Sequence, residues 1–230
     1  MSHRVVLAGA VSLILVGCGR NPKPAHINEG PTSASSPSSN DGITANNAPA
    51  AQLESRTVSA TPTDDEERAV APTVFLEAAL EGKIETVRQA IEAGMGVNAT
   101  DEQQRTALLL AAFNGHTPVI KLLLEHGALL GHRDATGRTA LMYAATGANG
   151  QAVRLLIEKG AEPNATDTGE GFTALMHASA EGQLEVVQIL LQHDADSAIT
   201  DVDGDTASDF ASRNGHAEIV RLLTGPRDVN

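Results

Sequence analysis

From about residue 73 onward the apolar positions recur in a fixed register. In the stretch TALLLAAFNGHTPVIKLLLEHGA, residues 106–128, two short apolar runs flank Asn114-Gly115. Thr106 stands where its hydroxyl can cap a first helix. Ala107, Ala111 and Ala112 give that helix a slim face that lets a neighbour approach closely. Thr117 is placed to cap a second helix with Pro118 at its first position, where a missing N–H costs nothing. Ile120, Leu123 and Leu124 fall on one face at helical spacing. Gly127 ends the run in the left-handed conformation that carries no penalty for glycine. A polar turn follows, as in Arg133 to Arg138.

The pattern returns along the chain. Thr-Ala-Leu occurs at Thr106, Thr139 and Thr173; Thr206-Ala-Ser is a fourth copy and Thr73-Val-Phe a weaker one, with spacings of 33, 33, 34 and 33. Nine residues after each Thr stand Gly82, Gly115, Ala148, Gly182 and Gly215. Twenty-one residues after come Gly94, Gly127, Gly160 and Asp194. A period this regular over about five copies predicts an all-α solenoid in which each unit is helix, turn, helix and extended loop. The units are drawn at 73–101, 102–134, 135–167, 168–201 and 202–225, with a tail at 226–230. Polar residues in the end units, Glu77 and Glu81 at one end and Asp205, Ser208, Asp209, Ser212 and Arg213 at the other, suit caps that face water.

These units resemble the ankyrin repeat. The family's Thr-Pro-Leu-His-x-Ala-Ala is matched by Thr106-Ala-Leu-Leu-Leu-Ala-Ala112, Thr139-Ala-Leu-Met-Tyr-Ala-Ala145 and Thr173-Ala-Leu-Met-His-Ala-Ser179. Ala152-Val-Arg-Leu-Leu-Ile-Glu-Lys-Gly-Ala-Glu-Pro-Asn164 echoes its second-helix motif. There are departures. Leu109, Met142 and Met176 replace the motif His, which removes a hydrogen bond typical of the family. Asp194 replaces a helix-ending Gly at a cost of about 1 kcal/mol. One residue is inserted in the hairpin Asp167 to Phe172.

The resemblance also implies a binding face built from hairpin tips and the ends of the first helices. Carried over by position, that face includes Arg105, Arg138, Glu170, Phe172 and Asp203 on the hairpins. The helix ends contribute Phe113, Asn114, Thr146, Glu181 and Arg213. Aromatic and Arg side chains dominate binding hot spots, which singles out Phe113, Arg138 and Phe172. Each phenyl either meets a partner or folds over a neighbouring unit.

The chain's other end reads differently. Met1 to Arg4 is short and basic, and Val5 to Gly17 is an uncharged, mostly apolar run of 13 residues. That is shorter than the roughly 20 residues a membrane span needs, but it fits the apolar region of an export signal. Leu15-Val-Gly-Cys18 carries the chain's only cysteine. The segment resembles a bacterial lipoprotein signal, which implies cleavage before Cys18, a diacylglyceryl group on its thiol and acylation of the new amino terminus. Gly19, rather than Asp, implies outer-membrane sorting where the host has two membranes. Two or more acyl chains anchor a protein stably where one does not.

Between Cys18 and Pro72 the composition shifts. Gly19 to Pro72 holds seven of the ten prolines, seven serines, one Leu and no aromatic residue. Too little apolar surface is available there to offset ordering entropy, so residues 18–72 are expected to form a disordered tether reaching roughly 40 Å.

Charge and motifs narrow the function classes. Residues 73–230 carry 11 Lys+Arg against 22 Asp+Glu, a net of −11. That balance disfavours nucleic acid, which needs basic phosphate contacts. No phosphate-binding loop, nucleophile elbow or HExxH zinc motif occurs. Asp201-Val-Asp-Gly-Asp205 resembles part of a calcium loop, but its Gly comes early and Ser212 stands where the bidentate Glu belongs. No pair of histidines has ligand spacing within one helix. No metal and no cofactor are therefore expected. The reading is a monomeric, non-enzymatic interaction scaffold in the cell envelope, touching the membrane only through its lipid and binding a protein partner. An inhibitor or immunity-type protein would use the same face, and an enzyme in the acidic turns is the remoter rival.

Overall fold

The computed structural model describes residues 71–225. Cys18, the expected signal segment, almost all of the expected tether and the tail at 226–230 lie outside the described residues. The described residues fold as ten helices in five antiparallel pairs: α1 (Pro72–Leu80) with α2 (Ile84–Glu92), α3 (Ala107–Phe113) with α4 (Thr117–Glu125), α5 (Ala140–Thr146) with α6 (Gly150–Glu158), α7 (Ala174–Ala180) with α8 (Leu184–Gln192), and α9 (Ala207–Arg213) with α10 (Ala217–Thr224). None of them is long and apolar enough to cross a membrane.

The first helix of each pair packs on the first helix of the next, and the second on the second, giving two parallel rows. The alanines explain the tight first row. Ala107, Ala111, Ala112, Ala144 and Ala145 are fully buried. A bulkier residue there would push the units apart. The core between the rows is aliphatic, with Ile120, Leu123, Val153, Leu156, Ile189 and Leu190 all at 0% exposure. Each such side chain contributes roughly 1.5–3 kcal/mol relative to an exposed one. An all-α repeat solenoid is the result, as the periodicity predicts.

The threonines cap as expected: Thr106, Thr139 and Thr173 accept the N–H of the residue three further on. Where the motif His is missing, the structure finds a substitute. The thioethers of Met142 and Met176 accept the N–H of Thr139 and Thr173 at 3.4 Å, and Asp209 Oδ2 does the same for Thr206 at 2.8 Å. Sulfur is a weak acceptor, so two of these three boxes are weaker than the third.

Several details correct the sequence reading. Thr117 does not cap α4; it is the first helical residue, its hydroxyl donates to Gly115 O, and His116 holds the cap position. Pro118 is thus the second helical residue. Pro72, placed in the tether by composition, opens α1. Asp194 does adopt the left-handed conformation at φ 62°, and so do Ala148 at 63° and Gln104 at 61°, the last unforeseen.

Candidate interaction face

The hairpins that join successive units are built on one aspartate each. Asp101, Asp134 and Asp201 turn Oδ1 back on the chain to accept N–H groups two and four residues on, at 2.8–2.9 Å. Asp167 Oδ1 accepts four N–H groups, from Gly169 to Phe172, and so absorbs the inserted residue. The tips are tied in series. Ala135 N–H donates to Gln103 O, Thr168 N–H to Thr136 O and Val202 N–H to Glu170 O, at 2.9–3.1 Å. The edge that a partner would meet is therefore a connected line rather than four independent loops.

Where this line meets the first helices, the aromatic residues gather. The chain has four Phe and one Tyr, and all but Phe75 lie along this corner. Phe113 meets Tyr143 edge to face at 6.3 Å. Phe172 stands edge-on to His177 at 5.6 Å and to Phe210 at 5.0 Å. The Arg213 guanidinium lies 5.1 Å from the centre of the Phe210 ring. Both candidate phenyls are half-buried and fold over the following unit, so each stabilises the stack while leaving part of its surface open.

Three arginines at this corner have different surroundings. Arg105 is only 7% exposed. Its Nε and Nη2 both reach Asp101 Oδ2 at 2.6 Å, and Nη2 also donates to Gln103. Expected on the binding face, Arg105 is instead a buried strut of its own hairpin. Arg213 is exposed and paired with Asp205. Arg138 occupies the Arg105 position one unit later, but its guanidinium does not pair with its hairpin carboxylate. Tyr143 OH donates to Asp134 Oδ2 at 2.8 Å, while Asp134 Oδ1 holds Thr136 and the Arg138 N–H. Among the described residues no carboxylate lies within 4.0 Å of the Arg138 guanidinium, and its Nε is buried without an acceptor.

The electrostatics follow from these contacts. Burial alone would raise the Asp134 carboxyl; the donations from Arg138, Thr136 and Tyr143 outweigh it and hold the group below the ordinary carboxylate range. Burial, with the Asp134 charge beside it, raises the Tyr143 hydroxyl far above the usual phenol value, so it stays protonated and keeps donating. Burial pushes His177 down to about 4, the nearby Arg138 charge adds to this, and Asp167 and Asp134 oppose it. At neutral pH the ring is uncharged, and its Nε2 has no partner.

The other expected positions lie as follows. Glu181 and Asp203 are exposed. Asn114 is exposed but reaches back to Leu80 O at 2.6 Å, which links it to the preceding unit. Thr146 is half-buried with its hydroxyl donating to Met142 O, and Glu170 is half-buried at its hairpin tip. The Asp201–Asp205 turn is already engaged: Asp201 serves the hairpin and Asp205 pairs with Arg213. Among the described residues no group of three possible metal ligands forms.

Position-by-position carry-over missed Tyr143, His177 and Phe210. A signal existed. The residue four after each capping Thr runs Leu110, Tyr143, His177, Phe210, a change from aliphatic to ring along one ridge.

Comparison with known proteins agrees with this architecture. A family model of ankyrin repeats, in three copies, matches residues 75–167 and 149–230. No curated protein matches the chain. The match spans more than half of the length and coincides with the stacked helix pairs, and the chain belongs to the ankyrin repeat family.

Proposed function

We propose that this protein is a lipid-anchored scaffold that holds a protein partner close to a bacterial membrane. Ankyrin repeats form protein–protein interaction modules, and that family assignment supports the binding half of the reading. The observation that carries it is the corner between hairpins and first helices. There the tips are bonded in series, the aromatic residues cluster, and Arg138 and His177 keep polar atoms without partners inside the protein. The Leu15-Val-Gly-Cys18 motif supports the anchoring half, and a tether of roughly 40 Å would raise the partner's local concentration at the surface.

The test is photo-crosslinking in the native host. A crosslinking amino acid replaces exposed Glu181 or Asp203 on the proposed face, and exposed Lys121 or Arg154 on the second-helix row. A discrete adduct from the first pair alone is expected. Adducts from the second pair alone move the binding face, and none from either refutes the scaffold. Fractionation with Cys18→Ser alongside tests the anchor: the wild type is expected in the membrane fraction with a lipid-sized mass increment on a chain starting at Cys18, and the variant without that increment. An unprocessed soluble wild type refutes the anchoring.

A further inference from the structure

We propose that Arg138 is the receptor for a carboxylate of the partner, an Asp or Glu side chain presented by an otherwise neutral or basic segment. The inference rests on the scaffold reading above and adds the chemistry of its central contact.

The chain itself shows what an arginine at this position binds. Arg105 and Arg138 both stand four residues after the hairpin aspartate and directly before the capping threonine. In the earlier unit the guanidinium takes Asp101 side-on through Nε and Nη2. In the later unit the same carboxylate oxygen is occupied by Tyr143 OH. The counterpart of Tyr143 in the earlier unit is Leu110, which has no hydroxyl to compete. The ring hydroxyl is the competitor present in the later unit and missing from the earlier one. The Nε is closed off from solvent, so a partner's carboxylate meets the guanidinium at its amino groups, through charge-assisted bonds.

The hairpin carboxylates near Arg138 are spent on other donors. Asp134 has both oxygens engaged, and Asp167 directs Oδ1 to four N–H groups. His177 sits close enough for the Arg138 charge to be felt, and its Nε2 is also without a partner. Phe113 stands edge-on to Tyr143, the residue that competes for Asp134, and Phe172 stands edge-on to His177. The net charge of −11 over residues 73–230 opposes a strongly acidic partner. It does not oppose a single carboxylate, because exposed charges beyond about 8 Å are largely screened at physiological salt.

The probe is N-acetyl-glutamate amide, added to the full chain carrying Cys18→Ser, with N-acetyl-glutamine amide as the neutral control at matched ionic strength. Side-chain NMR follows Arg138 Nε–H and the His177 ring. A saturable shift of both signals is expected below about 50 mM, in the millimolar range of a lone charged contact. It should be absent with the glutamine compound and in Arg138→Gln, whose fold is checked by its melting curve. Tyr143→Phe frees Asp134 Oδ2 to capture Arg138 as Asp101 captures Arg105. It should weaken the response at least fivefold with Arg138 still present. Equal responses to the two compounds, or no saturable response, overturn the carboxylate site and leave the crosslinking test of the scaffold untouched. An unchanged affinity in Tyr143→Phe overturns the competition that sets the arginine free.

Discussion

The slot nine residues after each capping threonine tests how neighbouring units interlock. Gly82, Gly115 and Gly182 hold φ of 74°, 68° and 74° there. The next unit lays a side chain against each. A Cβ on Gly82 would stand 2.5 Å from His116 Nδ1, one on Gly115 2.3 Å from Asn149 Oδ1, and one on Gly182 2.5 Å from His216 Cε1. These side chains donate to a carbonyl two residues before the glycine: His116 to Leu80 O at 2.9 Å, Asn149 to Phe113 O at 2.6 Å, His216 to Ala180 O at 3.1 Å. The step from the third unit to the fourth breaks the rule twice, with Ala148 of the third in the left-handed slot at φ 63° and Gln183 of the fourth where the other units lay His or Asn. Each departure permits the other.

Ala148→Gly removes a left-handed penalty of about 1–2 kcal/mol against an added chain entropy of about 0.5–1 kcal/mol. A net stabilisation of about 0.5–1 kcal/mol follows. Gln183→His alone drives a ring into the Ala148 methyl and costs about 1–3 kcal/mol. With both changes the ring fits and donates to Thr146 O, adding about 1 kcal/mol. Urea unfolding of the four proteins therefore gives a coupling of about 2–4 kcal/mol in the double-mutant cycle. Additivity to within about 0.5 kcal/mol, the behaviour of independent sites, refutes the interlocking account.

Two further outcomes follow from the charges. Arg105→Met leaves Asp101 without its partner in a nearly closed site and should cost about 2–3 kcal/mol, whereas Arg213→Met breaks an exposed pair and should cost under about 1 kcal/mol; equal losses in urea unfolding would contradict the assignment of Arg105 as a strut. His177 has an ordinary value of 6.5 and is held at about 4 when folded, so the unfolded chain binds the extra proton first as pH falls. Stability due to the neutral ring is complete above about 6.5 and lost toward about 4. Wild type should lose about 2–3 kcal/mol more than His177→Gln between pH 7 and pH 4.5; parallel pH profiles of the two proteins would refute the burial of the neutral ring.

The repeat, the helix pairs and the capping threonines were legible in the sequence, because each depends on short-range chemistry that a period of about 33 repeats in register. Gly94, Gly127 and Asp194 likewise announce their turns, since backbone handedness is a local property. The binding face was legible only as positions. Arg105 and Arg138 look identical in sequence context, Asp-x-x-x-Arg-Thr, and the fold gives them opposite circumstances. What separates them is a hydroxyl on the helix that follows, Tyr143 against Leu110, competing for one carboxylate oxygen. Phe172 could not be placed from its hairpin either, because the ring it meets belongs to Phe210 in the next unit. The sequence by itself determined the unit and its repetition. Only the tertiary structure decided which polar groups were consumed in joining units and which were left over, because each unit's hydrogen-bond partners are supplied by its neighbour.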